Sequence, residues 1–160
     1  MFIIFTGVAG AGKTTIGKLL AEQLGWRFYE GDDFHPAANV EKMRRGEPLA
    51  DDDRRPWLDA LRAVIHTAVE NAQNGIMACS ALKRAYRTRL RVSEDVIFVY
   101  LAAQPDLIQQ RLEHRHGHFM NPSLLESQFG TLETPQTALV LDASLPPAAL
   151  VRQVRQALHI

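Results

Sequence analysis

The octapeptide GVAGAGKT, Gly7 to Thr14, constrains this chain more than any other stretch. It follows directly on the apolar run Phe2-Ile3-Ile4-Phe5 and opens an amphipathic segment that reaches Leu24. The run suits a strand buried on both faces. A G-x-x-x-x-G-K-[ST] pattern between such a strand and a helix is a phosphate-binding loop. Gly7, Gly10 and Gly12 permit backbone conformations closed to other residues, so N–H groups can converge on phosphate oxygens. Lys13 reaches the terminal phosphates, and the Thr14 hydroxyl is a ligand for Mg²⁺. The helix N-terminus points its positive end at the same anion. Gly7, Val8, Ala9, Gly10, Ala11, Gly12, Lys13, Thr14 and Thr15 therefore form the candidate site for a nucleoside triphosphate.

Four more short apolar runs follow, at Arg27–Glu30, Ile76–Cys79, Val96–Leu101 and Ala138–Leu141. Helical periodicity fills the gaps: Pro56 to Ala72 puts Trp57, Leu61, Val64, Ile65, Ala68 and Val69 on one face. Asp51, Asp52 and Asp53 precede that segment, favourably for a helix N-terminus. Tyr86–Arg91, Pro105–His114 and Pro146–Leu158 also read as helices. Alternating strands and helices predict a parallel sheet covered on both faces. The expected fold is a P-loop three-layer αβα sandwich with a five-stranded parallel sheet, one domain over residues 1–160, and a short lid at about 115–130. A chain of 160 residues suffices for one such core.

Eighteen basic residues balance eighteen acidic ones, so no net field recruits nucleic acid or a membrane surface. Cys79, the single cysteine, sits in an apolar run and reads as a small buried hydrophobe rather than a reactive thiol. The N-terminus has no basic lead-in, and no stretch is long enough to span a membrane, which makes the cytoplasm the expected location.

Hydrolytic P-loop proteins place an acid at the end of a third or later strand. Here Ile76–Cys79 runs into Ser80-Ala81-Leu82-Lys83 instead, and Asp142 lies late, as a turn residue or part of an adenine-side loop. Asp32, in the stretch GDDFHP after the second strand, can take that place. It should emerge at the carboxyl edge of the sheet, where ligands of such sheets bind. A carboxylate there can orient Mg²⁺-bound water and accept the proton of an attacking hydroxyl. Asp33 beside it reads as a helix cap.

The run GDDFHPAANVEKMRRGEPLADDDRRPWL, with CSALKRAYR and RHGHF, resembles the gluconokinases of the P-loop small-molecule kinase group. The resemblance extends from the first strand to about Pro135. It implies ATP and Mg²⁺ as cofactors, transfer to the 6-hydroxyl of D-gluconate, a place in gluconate catabolism and the pentose phosphate route, and a sheet of shikimate-kinase and adenylate-kinase type. Homodimers are common in that family, although no residue of this chain points to one.

Gluconate carries a carboxylate and a row of hydroxyls, so its pocket needs a cation and hydrogen-bonding groups. Arg54, Lys83 and Arg87 are the candidates, with an arginine fork favoured for bidentate contact. His35 can donate to a substrate hydroxyl or hold the turn before Pro36. In RLEHRHGHF, His114, His116 and His118 alternate, but no cysteine or suitable carboxylate completes a zinc site nearby. A basic lid fits better, with Arg115 as the cation over the phosphates. Arg111 is placed to stack on adenine or pair with phosphate. Two other readings stay open: a kinase for another small acid or a nucleotide, and a nucleotide-dependent switch. Acceptor-dependent ADP release separates transfer from switching.

Overall fold

The computed structural model describes residues 1–113 and 122–160, with residues 122–124 as backbone only. In chain order it has β1 (Phe2–Thr6), α1 (Lys13–Leu24), β2 (Arg27–Glu30), a 3₁₀ turn (Gly31–Phe34), α2 (Ala37–Arg44) and α3 (Asp51–Glu70). Then come β3 (Gly75–Ala78), α4 (Arg84–Leu90), β4 (Val96–Ala102), α5 (Pro105–Glu113), α6 (Pro122–Thr131), β5 (Leu139–Asp142) and α7 (Pro147–Leu158). The five strands pair in parallel in the order β2-β3-β1-β4-β5.

β1 is central and buried along its whole length, and its alternation builds both cores. Ile3 and Phe5 pack with Ile16 and Leu20 of α1 and with Leu150 and Val154 of α7. Phe2 and Ile4 face the other way, onto Trp57, Leu61 and Ile65 of α3 and Tyr86 of α4. This gives the three layers, and it explains why the run showed no polar alternation. Gly17 lets α1 lie close on β2, because a Cβ there would sit 2.7 Å from the Phe28 ring. Among the described residues no helix is long and apolar enough to cross a membrane.

One boundary departs clearly from expectation. α3 begins at Asp51, not at Pro56, so the aspartate triplet is its first turn and Pro56 lies inside it. Asp53 Oδ2 accepts the Ala50 N–H at 2.8 Å, which caps that turn. Three acids at the positive end of the helix offset the backbone hydrogen bond that the proline cannot make. Cys79 is buried as expected, and burial, reinforced by the nearby Asp32 charge, pushes its thiol up to about 12. It is not a nucleophile at neutral pH.

Candidate active site

The phosphate loop joins the carboxyl end of β1 to α1. Gly7, Gly10 and Gly12 all have positive φ, at 141°, 80° and 102°. A side chain at Gly7 would also meet the Leu101 carbonyl at 2.9 Å. Lys13 Nζ folds back over the loop and donates to the Gly7 and Val8 carbonyls at 3.0 and 2.9 Å. Burial lowers its pKa from the ordinary lysine value, while the charges of Asp32, Cys79 and Glu30 work against that shift.

On one side of this loop lies a cavity of about 470 Å³, lined by Gly10 to Gly12, Thr15, Arg111, Ala143 and Pro147. Arg111 donates to the Gly10 and Ala11 carbonyls at 3.3 and 3.1 Å and to the Ala143 carbonyl. Its guanidinium thus ties the loop to the segment after β5 and walls this cavity. Asp142 is the last residue of β5, and its side chain accepts the Ser144 N–H of the turn that follows at 2.9 Å.

On the other side a second cavity, about 190 Å³, holds Lys13, Glu30, Asp32, His35 and Arg54 together. Gly31 permits the approach of the turn that carries Asp32, since a Cβ there would lie 2.6 Å from the Ala78 carbonyl. Trp57 Nε1 donates to the Gly31 carbonyl at 2.8 Å, and its ring stacks on His35 at 4.4 Å and 9°. One α3 side chain therefore secures both ends of the turn. Burial lowers the His35 pKa; Asp32 opposes the shift and Arg54 adds to it. Asn39 Nδ2 donates to the Asp53 carbonyl at 2.7 Å and lies 3.4 Å from His35 Nδ1. That nitrogen must then accept, which leaves the proton of a neutral ring on Nε2.

Of the three candidate cations, Arg54 and Lys83 both pair with Asp51, at 3.8 and 2.8 Å, and Arg87 stands apart. Arg54 lines the cavity and donates to the Tyr86 hydroxyl at 3.3 Å. Lys83 is outside the lining and is held by both oxygens of Asp51 at 2.8 Å, with Tyr86 donating to the same carboxylate. Arg87 departs from the expected role altogether. It is buried and donates to the Ala81 and Leu82 carbonyls at 2.9 and 2.7 Å and to the Glu133 carbonyl at 2.6 Å. Its work is to hold the loop after β3, where Ala81 sits at a strained φ of 38°, against the segment after α6. Arg87→Ala is therefore expected to cost roughly 2–4 kcal/mol in denaturant unfolding, through three lost charge-assisted bonds. A substrate-binding Arg87 would instead leave stability alone and raise the acceptor KM.

Two residues escaped the sequence reading. Glu30, the last residue of β2, accepts the Thr14 hydroxyl at 2.7 Å. The carboxylate that touches Thr14 is this one, not Asp32, and burial raises its pKa more than the Thr14 bond lowers it. Its place two residues before Asp32 at a strand end was the available signal. Gln128 of α6 accepts the Ala9 N–H of the phosphate loop at 2.7 Å and lines the smaller cavity. Nothing in the sequence distinguishes it from other polar helix residues. His114, Arg115, His116 and His118 lie outside the described residues, as does the first part of the expected lid, residues 115–121. Among the described residues no cluster of three or more histidine, cysteine or carboxylate side chains could hold a metal by itself.

A parallel sheet in this order, a phosphate loop beneath a nucleotide-sized cavity and an acidic second cavity define a P-loop small-molecule kinase. Residues 9–141 match the shikimate kinase family model. The chain is 47% identical to the gluconokinase of Gluconobacter oxydans (strain 621H), over 84% of this chain and 76% of that protein. It is 42% identical to the thermosensitive gluconokinase of Escherichia coli (strain K12), over 96% and 85%. The crystal structure of a gluconokinase from Sinorhizobium meliloti 1021 superposes with a TM-score of 0.85 at 38% identity, covering 98% of this chain and 94% of that one. The chain belongs to the gluconokinase family.

Proposed function

We propose that this protein phosphorylates D-gluconate at its 6-hydroxyl with ATP, giving 6-phospho-D-gluconate and ADP. The observation that carries this reading is the smaller cavity, which sets Asp32, neutral His35 and Arg54 beside Lys13. A polyol acid needs that set: an anion for its reacting hydroxyl, a donor for another hydroxyl and a fork for its carboxylate.

In the proposed reaction the 6-hydroxyl oxygen forms a bond to the γ-phosphorus as the bond to the β–γ bridging oxygen breaks. Asp32 accepts the hydroxyl proton. Lys13 leaves the Gly7 and Val8 carbonyls for the β- and γ-phosphates and offsets the charge that develops there. Arg54 orients the acceptor through its carboxylate, and His35 Nε2–H bonds a hydroxyl along the chain. The oxygen set at Thr14, Glu30 and Asp32 fits Mg²⁺, which is held by one or two carboxylates together with substrate phosphates. When bound there, the ion supplies charge neutralisation at the phosphates. Glu30 orients the Thr14 hydroxyl toward that position, and Arg111 walls the adenine side.

ADP release measured over sugar acids, shikimate and nucleoside monophosphates tests the reading. Gluconate should give the highest kcat/KM. ADP release that needs no acceptor would mean a switch-like ATPase and overturn it.

Gln128 contacts the donor loop from the acceptor side, so Gln128→Ala should lower kcat about tenfold while ATP binds as before. Equal kcat with a raised ATP KM would make it only a prop of the empty loop. Arg115→Ala should lower kcat more than it raises the gluconate KM, because transferring phosphoryl oxygens need positive charge at closure. A main effect on gluconate KM would place Arg115 on the acceptor carboxylate instead.

A further inference from the structure

Several basic side chains of this balanced surface are paired with carboxylates. Lys42 lies on Asp53, Arg45 on Glu47, Arg55 on Asp52, Lys83 on Asp51 and Arg89 on Asp59. One groove gathers two arginines that have no such partner among the described residues. It runs between α4 and the segment from Glu133 to Ala138, has a volume of about 570 Å³, and shares no lining residue with either cavity of the active site.

Arg84, Thr88 and Arg91 line it at spacings of four and three residues, so they share one face of α4 and its C-terminal cap. Neither Arg84 nor Arg91 has a carboxylate partner among the described residues; Arg91 lies 5.4 Å over the Phe98 ring. Buried Arg87 forms the floor, with its guanidinium held by the Ala81, Leu82 and Glu133 carbonyls. The one carboxylate in the lining, Glu133, accepts the Arg84 backbone N–H at 2.6 Å, and its charge acts on the Arg87 guanidinium. Thr88, Thr134 and Thr137 contribute hydroxyls.

Two exposed guanidiniums, Arg84 and Arg91, beside threonine hydroxyl donors match an oxyanion. Planar arginine forks bind phosphate by paired N–H donors, and the volume suits a small organic molecule. We propose that this groove is a second anion site, separate from the catalytic one, that binds the phosphate group of a small metabolite. Its floor adjoins the active site: Arg87 also donates to the Leu82 carbonyl, and Leu82 lines the acceptor cavity.

The test is a titration followed by ¹H–¹⁵N spectra of the full chain, with the phosphate loop saturated by a non-hydrolysable ATP analogue and Mg²⁺. Two probes are added in parallel, inorganic phosphate and glycerol 3-phosphate. Saturable shifts are expected at Thr88 and across residues 134–138, with affinity weakened at least tenfold in Arg84→Ala/Arg91→Ala. Arg84→Gln, a milder change at an exposed position, should weaken binding in the same direction with an unaltered melting temperature. Tighter binding of glycerol 3-phosphate identifies a phosphate ester as the occupant; tighter binding of inorganic phosphate identifies the free ion. Linear shifts, equal shifts with chloride at matched ionic strength, or unchanged affinity in both variants would overturn the site. Because the readout is binding at the groove, its failure is independent of which acceptor the enzyme phosphorylates.

Discussion

Asp32→Asn is expected to bind ATP with near-normal affinity and to lose gluconate-dependent ADP release by about 10²–10⁴-fold, the usual effect of removing a positioned base. An alcohol is a weak nucleophile until its proton begins to leave. Asp32 is the carboxylate that the 3₁₀ turn presents to the acceptor cavity beside Lys13. Asparagine keeps the shape and much of the hydrogen bonding, so the turn, held by Trp57, should persist. Asp33→Asn is the matched control, since Asp33 is outside that cavity lining and should change turnover little. Steady-state kinetics of both variants, with ATP affinity measured separately, decide the point. If Asp32→Asn keeps most of its gluconate-dependent rate, proton transfer runs through another group, and Glu30 is the next to examine.

Lys13→Ala should nearly abolish transfer while the fold survives. Among the described residues its ammonium bonds only to carbonyls of its own loop, at 3.0 and 2.9 Å. Each such bond contributes on the order of 1 kcal/mol net, and relief of the amine's burial offsets part of it. A thermal melt should therefore move little. In the transition state the same ammonium faces charge spread over the transferring phosphoryl group in a partly desolvated site, where one positioned donor is worth about 3–4 kcal/mol. That corresponds to a loss of about 10²–10³ in kcat. Near-normal turnover with an intact melt would remove Lys13 from the mechanism.

The alternation of strands and helices, the five-stranded parallel sheet and the phosphate loop could all be read along the chain, because each is written in contiguous residues. A strand, three glycines, a lysine and a threonine at set spacing carry the loop's geometry with them. Asp32 was legible for a related reason: the end of a strand in a parallel sheet fixes which edge a residue reaches. The start of α3 was not, because Pro56 is an ordinary helix-start signal, and the cap that moved the start to Asp51 depends on the Asp53 side chain.

What the linear chain determined, then, is the nucleotide half of the site and the presence of one acid at the sheet edge. The tertiary structure decided which side chains line the smaller cavity. The sequence favoured an arginine over Lys83 but did not choose between Arg54 and Arg87, and only packing separates the cavity-lining Arg54 from Arg87 on three carbonyls. Glu30 meets Thr14 across 16 residues, and Gln128 meets Ala9 across 119. A side chain's type sets which bonds it can make; which bonds it does make depends on groups that arrive from other strands and helices when the two cores close.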